Sequence, residues 1–244
     1  MSQTPKGFDQ EVHGELHAEL MSAYGWETET WVQERLDRVM GRLNQARRHG
    51  RAPLLAHSVT VPAFTAFTMP TAHVYVSRRL MERMSSDEMI AFVLAHEIAH
   101  HDLGHLDLFT GWLDALPRGV GTSLVAAVFR QFEDVAYGPD REAAADLLAV
   151  DLCVAAGFDG LRCVHAFDAL EQEHLNRGDI DGVFGPENLL DPTDPHHGGT
   201  AYAVQRWLWI RTHRYLPLHE RRARALAHYS ATTGGTATPR ARAL

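Results

Sequence analysis

The stretch SSDEMIAFVLAHEIAHHDLGH, residues 85–105, limits what this chain can fold into. Phe92, Val93 and Leu94 lead directly into His96 and Glu97, so a helix here carries polar side chains into an apolar interior. A capping box marks its start, with Ser85 placed to cap the first-turn amides and Glu88 reaching back to it. Gly104 supplies the stop. Each helical residue is rotated by about 100°, so His96 and His100 differ by about 40° and share a face. Two imidazoles on one face can grip a single zinc ion, with Glu97 beside them to take a proton from the water that ion activates. His101 is turned about 100° away from His100, and His105 follows the expected helix end. Both are therefore read as structural or supporting side chains rather than ligands.

A catalytic zinc site needs a third protein ligand and one open position for water. The extended motif, with a glycine and then a third histidine just beyond the second, is excluded because Leu103 and Leu106 stand at those positions. The missing ligand is expected to be a carboxylate on a later helix: Glu133, Glu142, Glu171 or Glu173. Glu142 is favoured. In REAAAD it shares a face with Asp146, so Glu142 can bind the metal while Asp146 accepts a hydrogen bond from the outer nitrogen of a ligand histidine. The alanines between them let two helices approach closely. The same spacing also suits two acidic residues that simply favour a helix N-terminus.

The whole chain bounds the remaining possibilities. Its 244 residues are 45% hydrophobic and 22% charged, enough for one large domain or two small ones. The net charge of −8 provides no cationic field, so neither nucleic acid nor an anionic membrane is expected as a partner. The N-terminus does not read as a signal peptide, and no run approaches the roughly 20 apolar residues of a membrane span. A soluble, cytoplasmic protein is expected. Cys153 reads as a buried thiol, and neither it nor Cys163 lies in a metal-binding pattern.

The periodicity predicts a helix over WVQERLDRVMGRLNQARR, with Trp31, Val32, Leu36, Val39, Met40 and Leu43 on its apolar face. Residues 54–77 predict two short strands, the second being AHVYV, with flanking prolines suggesting an edge position. DREAAADLLAVDLCVAAG predicts a helix closed by Gly157, and LRCVHAFDALEQEHLNRG predicts one more. Residues 179–199 read as loop, whose His196 and His197 could catch stray metal. AYAVQRWLWIRTHRYL and HERRARALAHYS predict two further helices, and residues 106–132 a broken helical segment. The fold class is then α+β and predominantly helical, with a small β-sheet. The domain is expected at 31–230, with an N-terminal extension at 1–30 and a disordered tail at 231–244.

DEMIAFVLAHEIAHHDLGH followed by REAAADLLAVDLCVAAGFD resembles the HtpX and CAAX-prenyl-protease type of zinc metallopeptidase, metallopeptidase family forty-eight of the gluzincin group. That family pairs an HExxH helix bearing a further GH with an ExxxD helix ending in glycine. Here these are His96, Glu97, His100, Gly104 and His105, then Glu142, Asp146 and Gly157. AFTMPTAHVYVSRRLMERMSSDE and RTHRYLPLHERRARAL are similar to the family's flanking segments, so the resemblance covers roughly residues 31–228.

The resemblance implies a zincin-like metalloendopeptidase acting on protein or peptide substrates. It implies one zinc ion held by His96, His100 and Glu142, with Glu97 as general base and Asp146 supporting a ligand histidine. Substrate would lie extended along residues 66–76, and His213, after Thr212, would stabilise the tetrahedral intermediate. Thr65 departs from the family's usual asparagine. The proline after the His213 position is absent and two extra residues precede Glu220 and Arg221, which brings Tyr215 and His219 forward as alternatives to His213. Family members are often membrane-embedded, and residues 106–132, where some carry spans, read here as a soluble replacement. Two other outcomes share these motifs: a catalytically silent metal-binding or chaperone-like protein, and a latent enzyme with residues 1–30 or the loop 178–199 over its cleft.

Overall fold

The computed structural model describes residues 29–47, 52–60, 64–68, 72–107, 138–175 and 218–233, with positions 14, 17, 18, 21, 25 and 111. Helix α1 spans Thr30–Ala46. Strands β1 (Leu55–Val59), β2 (Ala66–Thr68) and β3 (His73–Ser77) follow, then the short helix α2 (Arg78–Arg83) and helix α3 (Asp87–Asp102). Helices α4 (Pro139–Ala155), α5 (Gly160–Val164), α6 (Ala166–Leu175) and α7 (Leu218–Thr233) complete the described elements. The architecture is α+β and mostly helical, as expected.

The three strands form one sheet in the order β1-β3-β2, with β1 parallel and β2 antiparallel to β3. The sequence predicts two strands, with an edge position for AHVYV. In the structure that segment is the central strand, and β2 is the additional one. Val74 and Val76 turn one face of β3 into the core, while His73 and Tyr75 alternate onto the other. Ser77 ends β3 and caps α2, its hydroxyl accepting from Leu80 N at 3.2 Å.

Helix α3 is buried continuously from Met89 to His100. A helix covered on every side has no polar stripe, which explains the unbroken apolar run before the histidines. Helix α1 runs beside it and is pinned to both its ends. Arg35 and Arg38 reach Asp87 at 2.8 and 2.9 Å, and Arg47 reaches Asp102 at 2.6 Å. These contacts proceed in the same chain direction on both helices, so α1 and α3 lie parallel. Val32, Leu36, Val39, Met40 and Leu43 are buried as the periodicity predicts. Trp31 is not. It is 44% exposed, and its indole N–H donates to Glu29 at 2.5 Å.

Three further details differ from expectation. The cap of α3 is Ser86, which accepts from Met89 N at 3.3 Å, whereas Ser85 Oγ lies 3.4 Å from Met89 Sδ. The single helix expected over residues 161–178 is two, because the chain restarts at His165. There the imidazole meets Asp168 at 2.7 Å, and the Asp168 amide donates back to the His165 carbonyl at 3.1 Å. Helix α7 continues through Thr232 and Thr233, whose hydroxyls donate to carbonyls in the preceding turn. Gly157 follows α4 at φ 78°, the left-handed closure its position implies. Cys153 and Cys163 are both buried free thiols, and burial raises the Cys153 pKa. The expected broken helix in 106–132, apart from its first two residues and Gly111, lies outside the described residues. So do the loop 179–199 and the helix in 201–216.

Candidate metal centre

Helices α3 and α4 bring three ligand-type side chains together. His96 and His100 lie one turn apart on α3, with their Nε2 atoms separated by 3.2 Å. Glu142, in the first turn of α4, places Oε2 3.3 Å from His96 Nε2 and Oε1 3.2 Å from His100 Nε2. Two donors bonded at about 2.05 Å to one tetrahedral zinc ion stand about 3.3 Å apart. The three observed separations match that edge, so the residues present fit a zinc ion. The set of two imidazoles and one carboxylate also suits zinc. Glu97 follows His96 on α3 and is 2% exposed.

The outer nitrogen of each imidazole faces a neighbouring polar side chain. His96 Nδ1 lies 3.0 Å from Asp146 Oδ1, one turn beyond Glu142 on α4. His100 Nδ1 lies 3.0 Å from His105 Nδ1. When Nε2 of His100 faces a metal, Nδ1 keeps its hydrogen and donates, so His105 must accept. His105 suits that part: burial, reinforced by the charges of His100 and Arg141, pushes its pKa down to about 4, leaving a neutral ring. The turn after α3 sets its position. Gly104 has φ 69°, a left-handed conformation that favours glycine. Arg141 then donates to the His105 carbonyl at 2.9 Å.

Burial alone would depress the His96 pKa, but the Glu142 and Asp146 carboxylates outweigh it and hold it up to about 9. A pair of buried carboxylates one turn apart calls for cations, and α7 supplies one. Arg221 clasps Asp146 with two hydrogen bonds of 2.7 Å and reaches Glu142 Oε2 at 3.3 Å. Burial pushes the Asp146 pKa up, but Arg221 and His96 more than reverse this and hold it below its ordinary value. From the sequence Arg221 has no assigned role beyond its place within RTHRYLPLHERRARAL, the segment similar to the family's ending.

The other candidates fall elsewhere. Glu173 is buried but pairs with Arg79, and its other oxygen lies 3.7 Å from Arg83. Glu171 is exposed on α6. His101 turns to the sheet, its Nε2 lying 2.5 Å from Thr68 Oγ1 on β2, and burial lowers its pKa to about 4. His219 is exposed in the first turn of α7. His213, Tyr215 and Glu133 lie outside the described residues.

Two histidines and a glutamate thus lie at ligand separation, with a second glutamate in the same helical turn. The family comparison agrees: the model described as peptidase family M48 matches residues 27–230, and the chain belongs to that family. No match to the chain is found among curated proteins. Membership implies a metallopeptidase acting on peptide or protein substrates. Among the described residues, no helix is long and apolar enough to cross a membrane.

Proposed function

We propose that the chain is a zinc-dependent endopeptidase of zincin-like fold, with its catalytic centre between α3 and α4. The observation that carries this reading is the 3.2–3.3 Å triangle of His96, His100 and Glu142 with Glu97 beside it. His96, His100 and Glu142 would hold a zinc ion, which when bound would supply Lewis acidity toward a peptide carbonyl and toward the attacking water. Glu97 takes a proton from the water as its oxygen bonds to the peptide carbonyl carbon, and delivers that proton to the leaving amine as the C–N bond breaks. Asp146 and His105 fix the tautomer and orientation of the two imidazoles. Arg221 holds Asp146 in place and balances the charge of the carboxylate pair.

Strand β2 lies at the edge of the sheet, and Thr68 joins it to α3 through His101. A substrate running extended along this edge would be aligned by main-chain hydrogen bonds, which recognise a polypeptide whatever its side chains. His213 is assigned as donor to the developing oxyanion, with Tyr215 and His219 as the alternatives.

The test is Glu97→Gln. The variant should keep stoichiometric zinc and lose cleavage of a mixed peptide library by about 10²–10⁴-fold. Full activity in that variant would sink the assignment.

A further inference from the structure

A second cluster of imidazoles lies on the outer face of the sheet. His57 on β1 and His73 on β3 share that face with Tyr75, the register partner of His57. His57 Nε2 and His73 Nδ1 are 2.8 Å apart. A third ring, His17, arrives from the N-terminal segment, stacking on His73 at 4.2 Å between centroids and lying 4.9 Å from His57. One nitrogen from each of the three rings lies within 4.8 Å of the other two. On the same face Tyr75 and its register partner Phe67 are fully buried and stacked on each other at 5.0 Å.

From this convergence we infer that His17, His57 and His73 form a second metal site, taking a divalent ion of the zinc, nickel or copper class and clipping the N-terminal segment to the sheet. An all-imidazole donor set suits these ions and not magnesium or calcium, which require oxygen ligands. Binding takes the lone-pair form of each imidazole, so the ion competes with protons at this cluster.

Tyr75 orients the set. Its hydroxyl lies 2.8 Å from His17 Nδ1, which fixes the orientation of that ring. The 2.8 Å contact between His57 and His73 is shorter than the edge of about 3.3 Å required around a tetrahedral ion. Binding therefore replaces the proton they share and opens the pair by about half an ångström. A packing role alone would favour apolar side chains over Phe67 and Tyr75, because partly buried imidazoles lose hydration without gaining apolar contact.

The N-terminal contact is continuous with the fold. Positions 14, 17, 18 and 21 are helical, Met21 is buried, and Gly25 closes the turn at φ 72° by donating to the Met21 carbonyl at 2.9 Å. The clip also touches the catalytic half of the molecule. The His73 carbonyl accepts from Thr68 Oγ1 at 3.1 Å, and Thr68 Oγ1 meets His101, the neighbour of His100.

The test uses the untagged full chain, stripped with a chelator and titrated separately with zinc and nickel, with metal content read by mass spectrometry. His17→Ala and His73→Gln should each remove one equivalent relative to their parent. They should do so both in the wild-type background and in His100→Ala, so the result does not depend on the catalytic assignment. His196→Ala/His197→Ala should keep that equivalent. Near-ultraviolet circular dichroism checks that His17→Ala, whose residue lies outside the strands, keeps the native core. Unchanged stoichiometry in a folded His17→Ala, or loss of the equivalent in the His196→Ala/His197→Ala variant, overturns the site.

Discussion

Removing the Arg221 guanidinium is the most informative single perturbation of the candidate metal centre. Arg221 makes two 2.7 Å hydrogen bonds to Asp146 and lies 3.3 Å from Glu142. The side chains are 11% and 2% exposed, so little water screens the pair. Unit charges about 4 Å apart attract by about 4 kcal/mol at an effective dielectric of about 20. Truncating one partner also strands the other as a buried, uncompensated charge, at a typical cost of about 3–5 kcal/mol. Partial exposure of Arg221 puts Arg221→Met near the lower end, about 3 kcal/mol in the metal-free chain. For a chain of this size that lowers Tm by roughly 6–12 °C. Asp146→Asn keeps an acceptor for His96 Nδ1 while removing the charge. Urea unfolding in chelator of the wild type, both single variants and the double variant completes the cycle. The double variant should recover about 2 kcal/mol relative to the sum of the singles. Additivity within about 0.5 kcal/mol would refute the claim that Arg221 acts through Asp146.

Asp87 opens α3 and is gripped by Arg35 and Arg38. Burial works to raise its pKa, but the two guanidiniums reverse that and hold it below the ordinary 3.8. A lowered folded pKa contributes stability that is fully present above the ordinary value and is lost as pH falls through the folded one. Asp87→Asn should therefore be less stable than wild type at neutral pH, with the gap closing in acid. A gap in urea midpoints that stays constant down to about pH 2 would exclude this linkage. Ala149 continues the stripe of Glu142 and Asp146 along α4 and is fully buried. Ala149→Leu should cost about 1–3 kcal/mol by forcing α3 and α4 apart, and should weaken zinc binding with it. Unchanged stability and affinity would show that the two helices do not depend on a small residue there.

What could be read from the sequence was whatever local spacing expresses. His96 and His100 are brought together by one helical turn, and Glu142 and Asp146 by another, so each pair is visible in its own few residues. The pairing of α3 with α4 followed from the need for a third ligand. The misread details depend on contacts distant in sequence. Ser85 and Ser86 both suit a cap, and α3 begins after Ser86, with Asp87 in its first turn gripped by α1 some fifty residues earlier. Strand β2 has three residues, too few for alternation to show. His105 lies where a continued helix would carry it away from His100. Gly104 turns the chain back instead, so the His105 amide donates to the His100 carbonyl at 3.0 Å.

The two imidazole clusters show why one was legible and the other was not. Around His96 the partners are carboxylates whose spacing repeats with the helix, and their charge holds the imidazole pKa up to about 9. Around His57 the balance runs the other way: burial, reinforced by the neighbouring His73 and His17, pushes its pKa down to about 4. A helix advertises its ligands at a fixed interval, whereas strands bring residues together through register, which depends on how the chain returns. Parallel pairing of β1 with β3 puts Leu55 opposite His73, so His57 stands one pleat along from His73 on the same face. His17 then arrives from forty residues before His57. Among 16 histidines, those three carried no shared interval that could single them out. Their relation exists only once the sheet has formed and the N-terminal segment has docked. A metal held there would therefore report on tertiary structure, whereas the α3 pair is preset by its own helix and needs α4 only for Glu142.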